Sequence, residues 1–241
     1  MPAKPRSVSE TNSLDIENPV VYVVDDDELM RTSLSSLLRS IGLRVQTFAS
    51  TEDFLSMHCD DAPGCLILDV RLQGESGLEF QQLVATRNEL RMPIIFMTAH
   101  GDIEMSVRAM KAGALDFLAK PFRNQDMIDA VSSALKRDTK RLQADRATLK
   151  LRARYESLTP REREVAGLVV AGLMNKQIAG KIGIAEITAK VHRGHAMKKM
   201  ESRSIADFVR KMEALGITAA ERVVRSPESP SSPDLTDEIV R

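Results

Sequence analysis

The sequence is poor in the residues that build disulfide frameworks, thiolate metal sites and aromatic cores. Its 241 residues include two cysteines, no tryptophan and 4% aromatic residues in total. Cys59 and Cys65 are too few for a disulfide framework or a metal cluster, which predicts two reduced thiols. No apolar run reaches the roughly 18 residues of a membrane span, and the N-terminus lacks the apolar core of a signal peptide. We therefore expect a cytoplasmic protein that binds no membrane.

The formal net charge of the chain is zero, but the charges are divided unequally along it. Residues 19–136 carry 11 basic and 17 acidic side chains, whereas residues 137–225 carry 20 basic and 10 acidic ones. This asymmetry favours two domains with different partners. The two ends, residues 1–18 and 217–241, are predicted to be mostly disordered, because a serine- and proline-rich C-terminus cannot bury a core.

Residues 19–136 alternate five short apolar runs with amphipathic segments. Strands are predicted at residues 20–24, 43–47, 65–68, 94–97 and 115–118. Helices are predicted to begin near residues 28, 52, 77, 103 and 125. The alternation predicts an α/β domain with a five-stranded, parallel, doubly wound sheet and helices on both faces.

Residues 124–155 contain neither glycine nor proline, which predicts one long helix that ends in a helical linker over residues 137–154. Apolar residues recur in it every seven positions, at Ile128, Leu135, Leu142 and Leu149. A coiled-coil seam needs a second line of apolar residues, here at positions 131, 138 and 145. Asp138 and Asp145 interrupt this second line. Two alternatives stay open, a single exposed helix or a weak two-stranded coiled coil.

Polar side chains follow the predicted strands of the sheet, at the edge where ligands bind in doubly wound folds. They are Asp25, Asp26 and Asp27 after the first strand, Asp69 after the third, Thr98 after the fourth and Lys120 after the fifth. Converging carboxylates require a cation, and an all-oxygen set suits Mg²⁺. Thr98 and Lys120 can hold phosphoryl oxygens. An aspartate beside a metal can attack phosphorus, and Asp69, after the most apolar strand, is the best candidate.

The motifs VVDDDE, LILDVRLQGESGLEF, MTAH and FLAKPF resemble the receiver domain of two-component response regulators, over about residues 19–136. The resemblance implies a CheY-like fold in which Asp69 is the phospho-acceptor. It also implies Asp26 and Asp69 as direct Mg²⁺ ligands and Asp25 as a ligand through water. The backbone carbonyl of Arg71 completes the implied ligand set.

The same resemblance implies a switch that reports phosphorylation. Thr98 matches the switch hydroxyl of the family, Lys120 its phosphate-binding lysine and Phe117 its switch aromatic. Lys120–Pro121 matches the family's cis peptide bond.

A second, all-α module is predicted at residues 155–216. Thr159, Pro160 and Glu162 form a capping box with proline at the first helical position. Four short helices with glycine-bearing connections are typical of a helix-turn-helix bundle. The motifs LTPREREV, VAGLMNKQIAGKIGI and TAKVHRGHAMKKM resemble the LuxR-type helix-turn-helix of the FixJ/NarL response regulators.

This resemblance implies a scaffold helix at residues 176–182 and a recognition helix at residues 187–200. The residues expected to contact duplex DNA are Lys176, Thr188, Lys190, Val191, Arg193, His195 and Lys198. Asn175, Gln177, His192 and Lys199 are further polar candidates at the two helices. The sequence departs from the family pattern at Ala185, where a capping Ser or Asn is common, and at Gly194, which interrupts the helix.

Together these features predict a response regulator that a sensor histidine kinase phosphorylates on Asp69. We expect Thr98 to move inward and Phe117 to take a buried rotamer. This remodels the face of the receiver's fourth helix, fifth strand and fifth helix and drives homodimerisation. The dimer then binds paired DNA half-sites and, in regulating transcription, meets RNA polymerase. No enzymatic turnover is expected beyond slow self-dephosphorylation.

Two other functions are consistent with parts of this pattern. A haloacid-dehalogenase-like phosphatase also uses an aspartate nucleophile, but it normally has a second acid two residues later, where this chain has Arg71. A receiver with an RNA- or protein-binding output would need stacking aromatics, and residues 155–216 contain only Tyr155 and Phe208.

Overall fold

A computed structural model describes residues 19–58, 61–72, 75–87, 90–99, 107, 109–111 and 113–218. The chain divides between residues 144 and 145 into two compact units. The predicted N-terminal extension, and the tail beyond residue 218, lie outside the described residues.

The first unit contains a five-stranded parallel sheet in the order β2-β1-β3-β6-β7. Its strands are β1 (Val20–Val24), β2 (Arg44–Phe48), β3 (Gly64–Asp69), β6 (Ile94–Thr98) and β7 (Asp116–Ala119). The predicted fold class is confirmed, and each strand lies within a residue or so of its predicted position. A short antiparallel hairpin of β4 (Arg71–Leu72) and β5 (Glu75–Ser76), which was not predicted, follows β3.

Three helices lie within this unit and a fourth begins in it. They are α1 (Glu28–Ser40), α2 (Thr51–Ser56), α3 (Gly77–Arg87) and α4 (Asn124–Glu156). The start of the helix predicted near Ile103 lies outside the described residues, but residues 109–111 beyond it are helical. Gly42 ends the turn after α1 with a φ of +84°, the left-handed conformation expected for it.

The sheet is buried on both faces, because alternate residues of each strand point to opposite sides. Tyr22 and Leu66 pack on one face in a core with Phe54 of α2. Val23 and Ile67 pack on the other face, against α1 and α4. This arrangement explains why the central strands are continuous apolar runs.

The predicted long helix is confirmed, since α4 runs unbroken for 33 residues. Its leucines have different environments. Leu135 is 9% exposed and belongs to the core of the first unit, whereas Leu149 is 65% exposed. The burial of the seven-residue repeat therefore differs along α4, from buried at Leu135 to exposed at Leu149. No helix among the described residues is long and apolar enough to cross a bilayer.

The second unit is a bundle formed by the end of α4 and four short helices. These are α5 (Pro160–Val170), α6 (Asn175–Ile182), α7 (Glu186–Lys199) and α8 (Ile205–Ala214). The predicted capping box at α5 is confirmed, with Thr159 and Glu162 bonding reciprocally. Val165, Ile178 and Phe208 are fully buried in the core of this unit.

Candidate functional site

Three aspartates meet at the carboxyl edge of the sheet, because β1 and β3 are neighbouring parallel strands. Asp25 and Asp26 follow β1, and Asp69 is the last residue of β3. One carboxylate oxygen from each lies within 4.8 Å of the others. Asp25 is fully buried and Asp69 is 7% exposed. Desolvated carboxylates this close repel one another, so the cluster requires a positive charge.

Lys120 supplies a positive charge from the end of a different strand of the same sheet. Its Nζ lies 2.8 Å from Oδ2 of Asp25 and 2.5 Å from Oδ2 of Asp69. The lysine follows β7, and its backbone N–H donates to the carbonyl of Thr98 at 2.6 Å. The Lys120–Pro121 peptide bond is cis, as the receiver resemblance implies. The structure thus brings together residues from three different strand ends.

Backbone N–H groups orient two of the carboxylates. Asp69 Oδ1 accepts from the N–H of Arg71 at 2.9 Å, and Asp25 Oδ1 accepts from that of Asp27 at 2.9 Å. Asp27 itself caps α1, where its side chain accepts from the N–H of Leu29 at 2.8 Å. Asp27 is therefore a structural residue, although it adjoins the cluster in sequence.

The pKa shifts at this edge follow from burial and pairing. Burial raises the pKa of Asp25, and the hydrogen bond and charge of Lys120 only partly oppose this. For Lys120, burial alone would lower the pKa, but its hydrogen bonds to Asp25 and Asp69 outweigh burial and raise it. The lysine therefore stays a cation among acids.

The two predicted switch residues lie on neighbouring strands. Thr98 ends β6 and is fully buried. Phe117 lies in β7 and is partly buried against the aromatic core that contains Tyr22 and Phe54. Its register partner across the sheet is Phe96. The structure therefore places Phe117 on a sheet face and not among the carboxylates.

The carboxylate cluster fits a divalent cation, since Asp25, Asp26 and Asp69 offer the hard oxygen ligands that Mg²⁺ prefers. Receiver domains bind Mg²⁺ at this acidic pocket. The carbonyl of Arg71 belongs to the exposed first residue of β4, directly beyond Asp69 and Val70.

Gly77 supports this site and was predicted only as the start of a helix. A Cβ at Gly77 would lie 2.5 Å from the carbonyl oxygen of Asp69, closer than any real contact. The Gly77 N–H donates to the carbonyl of Val70 at 3.0 Å. Only glycine lets the start of α3 approach the phospho-acceptor candidate this closely. A glycine just after the short β5 was the only sequence signal of this contact.

In the second unit, α7 separates into a buried and an exposed face. Ala189 and Ala196 are fully buried on one side. Ile187 is 67% exposed and Val191 46% exposed on the other. Among the remaining DNA candidates, Lys190, His195 and Lys198 are exposed, whereas Thr188 and Arg193 are half-buried. The exposed face of α7 thus carries an apolar pair among cationic and imidazole groups.

The turn between α6 and α7 is tight. Gly183 ends α6 in the left-handed conformation, with a φ of +68°. Ala185 occupies the N-cap of α7 without a side-chain hydrogen bond, as its identity predicts. At the start of α6, Lys176 is exposed, but Gln177 accepts from the backbone N–H of Met174 at 2.8 Å. Gln177 is thereby engaged within the protein.

Lys199, one of the further polar candidates for DNA contact, is bound within the unit. Its Nζ lies 2.7 Å from Oε2 of Glu162 and 3.2 Å from the carbonyl of Ser157. Glu162 also accepts from the N–H of Thr159 at 2.8 Å. Burial raises the pKa of Glu162, but these bonds from Lys199 and Thr159 outweigh it and lower the pKa overall. The pair joins the end of α7 to the start of α5.

Comparisons with known proteins identify the family of each part of the chain. Residues 21–132 match the response regulator receiver domain family, and residues 156–212 match the bacterial regulatory proteins, luxR family. Nodulation protein W of Bradyrhizobium diazoefficiens is 54% identical over 200 residues, which cover 83% of this chain and 88% of that protein. The transcriptional regulatory protein FixJ of Azorhizobium caulinodans is 39% identical over 205 residues, 85% of this chain and 97% of that protein. The solved structure of the response regulator StyR matches with a TM-score of 0.74 at 47% identity, over 82% of this chain and 99% of that one.

The chain belongs to the FixJ-like response regulators. It is a two-component transcriptional regulator in which a receiver domain is joined to a LuxR-type helix-turn-helix that binds DNA. A receiver domain implies a kinase partner. The family consists of transcriptional regulators and not of classical enzymes, so the phosphatase alternative is set aside. The luxR family match likewise sets aside an RNA- or protein-binding output.

Proposed function

We propose that Asp69 accepts a phosphoryl group from a phosphohistidine of a sensor histidine kinase. An oxygen of the Asp69 carboxylate attacks phosphorus, the phosphorus–nitrogen bond breaks, and the leaving imidazole nitrogen keeps the electron pair. The observation that carries the proposal is Lys120, whose ammonium bridges Asp25 and Asp69 at the ends of β1 and β3. The acceptor oxygen thereby already lies beside a fixed cation.

Asp26 and Asp69 would hold Mg²⁺ directly, Asp25 through water, and the carbonyl of Arg71 would complete the protein ligands. The ion supplies charge that stabilises the phosphoryl oxygens. The Arg71 N–H holds Oδ1 of Asp69 at 2.9 Å, which leaves Oδ2 as the oxygen that faces the lysine.

Phosphorylation would then be read out through β6 and β7. Lys120 can transfer its hydrogen bond from the Asp69 carboxylate to a phosphoryl oxygen, and the hydroxyl of Thr98 can approach another. The backbone N–H of Lys120 donates a hydrogen bond to the carbonyl of Thr98, so a shift of one residue would be transmitted to the other. We propose that Phe117 responds by a change of rotamer, and that the remodelled face drives homodimerisation.

The regulated output is sequence-specific DNA binding by residues 155–216, with residues 19–136 as the receiver and 137–154 as the linker. Lys190, Val191 and Arg193 on α7 would enter the major groove. The remaining contacts are assigned to Lys176, Thr188, His195 and Lys198. Such a regulator works in the cytoplasm, where chromosomal DNA lies, and acts on RNA polymerase. The only turnover we propose is slow loss of the phosphoryl group.

The proposal is tested by treating the full chain with acetyl phosphate and Mg²⁺ and measuring phosphoryl uptake by intact mass. Asp69→Asn removes the nucleophilic oxygen, so uptake should be abolished, and EDTA should abolish it in the wild type. Asp53→Asn is the matched control, because Asp53 is an exposed aspartate of α2. Within the described residues, its side chain does not belong to the cluster of Asp25, Asp26 and Asp69. It should label fully. Full labelling of Asp69→Asn would contradict the proposal.

A further inference from the structure

The exposed face of α7 has a gap in its middle. Gly194 is the ninth of the 14 residues of this helix. It lies on the face that also carries Lys190, Val191 and Lys198, since positions three and four apart share a helix face. The side chains on this face therefore surround a position that has none.

Nothing within the described part of the protein requires glycine at this position. A Cβ built on Gly194 meets no heavy atom within 4 Å, so no neighbouring group excludes a side chain. The φ angle of Gly194 is also not positive, in contrast to that of Gly183. Neither packing nor backbone conformation within this unit explains the glycine.

The glycine nevertheless weakens the helix that carries it. Glycine within a helix loses more conformational entropy on folding than alanine does. Gly180 of α6 is likewise exposed and has no heavy atom within 4 Å of a built Cβ, so what distinguishes Gly194 is the face around it. That face is lined with cationic groups, and the luxR family match makes duplex DNA its partner.

We infer that Gly194 allows the backbone of α7 to approach the base edges of duplex DNA in the major groove. The inference rests on the proposed role of α7 as the helix that enters the groove. An α-helix with its side chains is about 10–12 Å in diameter and the major groove is about 12 Å wide, so one side chain on the inward face sets the depth of insertion. Lys190 and Val191 lie on the N-terminal side of the gap and Lys198 on the C-terminal side. The helix is thus seated deepest at Gly194.

The test compares Gly194→Ala with Gly180→Ala in the full chain. Gly180 is the matched control, because it is also an exposed helical glycine, in α6, with no heavy atom within 4 Å of a built Cβ. Both substitutions should raise the Tm of the second unit by about 2–8 °C. Gly194→Ala should nevertheless bind DNA about tenfold more weakly, within the range of one lost base contact. Gly194→Met should bind at least about 100-fold more weakly, and Gly180→Ala should match the wild type within about twofold.

The probe is a duplex selected by the wild-type protein, after acetyl phosphate treatment, from a library with about 20 random base pairs, enough for two half-sites one helical turn apart. Binding is measured by fluorescence anisotropy at one fixed salt concentration. If the wild type selects no duplex, the proposed role of α7 fails. If it selects one and Gly194→Ala binds it as tightly as the wild type, or if Gly180→Ala loses as much affinity, the inference about Gly194 is overturned while that role stands.

Discussion

The two units each contain a buried acid paired with a lysine, and the pairs have opposite properties. In the receiver, the ammonium of Lys120 contacts both Asp25 and Asp69, and burial raises the pKa of Asp25. In the DNA-binding unit, burial is outweighed at Glu162 by hydrogen bonds from Lys199 and Thr159, and the pKa is lowered. The first site has more negative charge than its one lysine neutralises. The second has one acid, whose Oε2 accepts from the ammonium of Lys199 and from the N–H of Thr159.

This difference separates a reactive site from a structural one. Excess carboxylate at a sheet edge creates affinity for a metal ion and leaves a nucleophilic oxygen. A single carboxylate whose charge is balanced by one lysine has no excess negative charge to attract a metal ion, so it stabilises the fold and positions α7. The residue types are similar in both pairs, and it is the ratio of acids to lysines that differs.

The largest expected effect comes from removing the receiver's lysine. In Lys120→Met, phosphoryl uptake should persist, but the gain in DNA affinity on acetyl phosphate treatment should fall below about one tenth of the wild-type gain, because no ammonium holds the phosphoryl oxygen. Anisotropy titrations with and without acetyl phosphate measure the gain. Arg44→Met, at an exposed arginine of β2 on the opposite edge of the sheet from β7, should leave it unchanged. A full gain in Lys120→Met would mean that the two lysine pairs do not differ in kind.

Asp138 tests whether the ratio of acids to cationic side chains or the location decides the role. It lies in the receiver unit, but its carboxylate accepts from Gly64 N–H at 2.9 Å and from Arg141 Nε at 2.7 Å, and it is 1% exposed. It should behave as a structural acid. Asp138→Ala should lower the free energy of unfolding of the first unit by about 3 kcal/mol, because it leaves the buried Gly64 N–H without its acceptor.

Urea unfolding of the full chain measures this change. Asp129→Ala, at an exposed aspartate of the same helix, should change the stability by less than about 0.5 kcal/mol. Phosphoryl uptake by the folded Asp138→Ala protein should equal that of the wild type. A lost phosphoryl uptake in folded protein would place Asp138 in the reactive site.

Lys199→Met should produce a smaller loss, confined to the second unit. The Lys199 side chain is 38% exposed, so water screens its pairing with Glu162 and the cost should be about 1 kcal/mol. Thermal unfolding of the second unit measures it, with Lys181→Met as the exposed control in α6. Phosphoryl uptake should not change. A loss of uptake in Lys199→Met would remove the distinction between the two pairs.

The smallest effect is a pH dependence carried by Glu162. Its pKa in the folded protein lies below the ordinary value of 4.5, so its contribution to stability is complete above that pH and is lost as the pH falls through the folded pKa. The difference in stability of the second unit between wild type and Glu162→Gln should therefore shrink on acidification below pH 4.5. Urea titrations at several pH values measure it. A difference that grows on acidification would reverse the assigned sign.

Much of the fold was predictable because its signals are local. The alternation of Val20–Val24 with an amphipathic helix, and the Thr159 capping box, depend on residues within a few positions of one another. The β4–β5 hairpin was not predictable, since two-residue strands show no periodicity. The role of Gly77 also escaped, because the carbonyl it adjoins belongs to Asp69, eight positions earlier in a different element.

The sequence by itself determined the parallel α/β class, the acids at the strand ends and the helix-turn-helix, because hydrophobic period, capping and motif spacing are short-range properties. Only the tertiary structure decided which lysine serves which acid. Lys120 reaches Asp25 across 95 positions, and Lys199 reaches Glu162 across 37. Such pairs form only when packing brings distant elements together, and packing also sets how many carboxylates share one lysine. Two carboxylates share Lys120, whereas Glu162 alone pairs with Lys199, and this difference distinguishes the reactive edge of the receiver from the structural pair of the second unit.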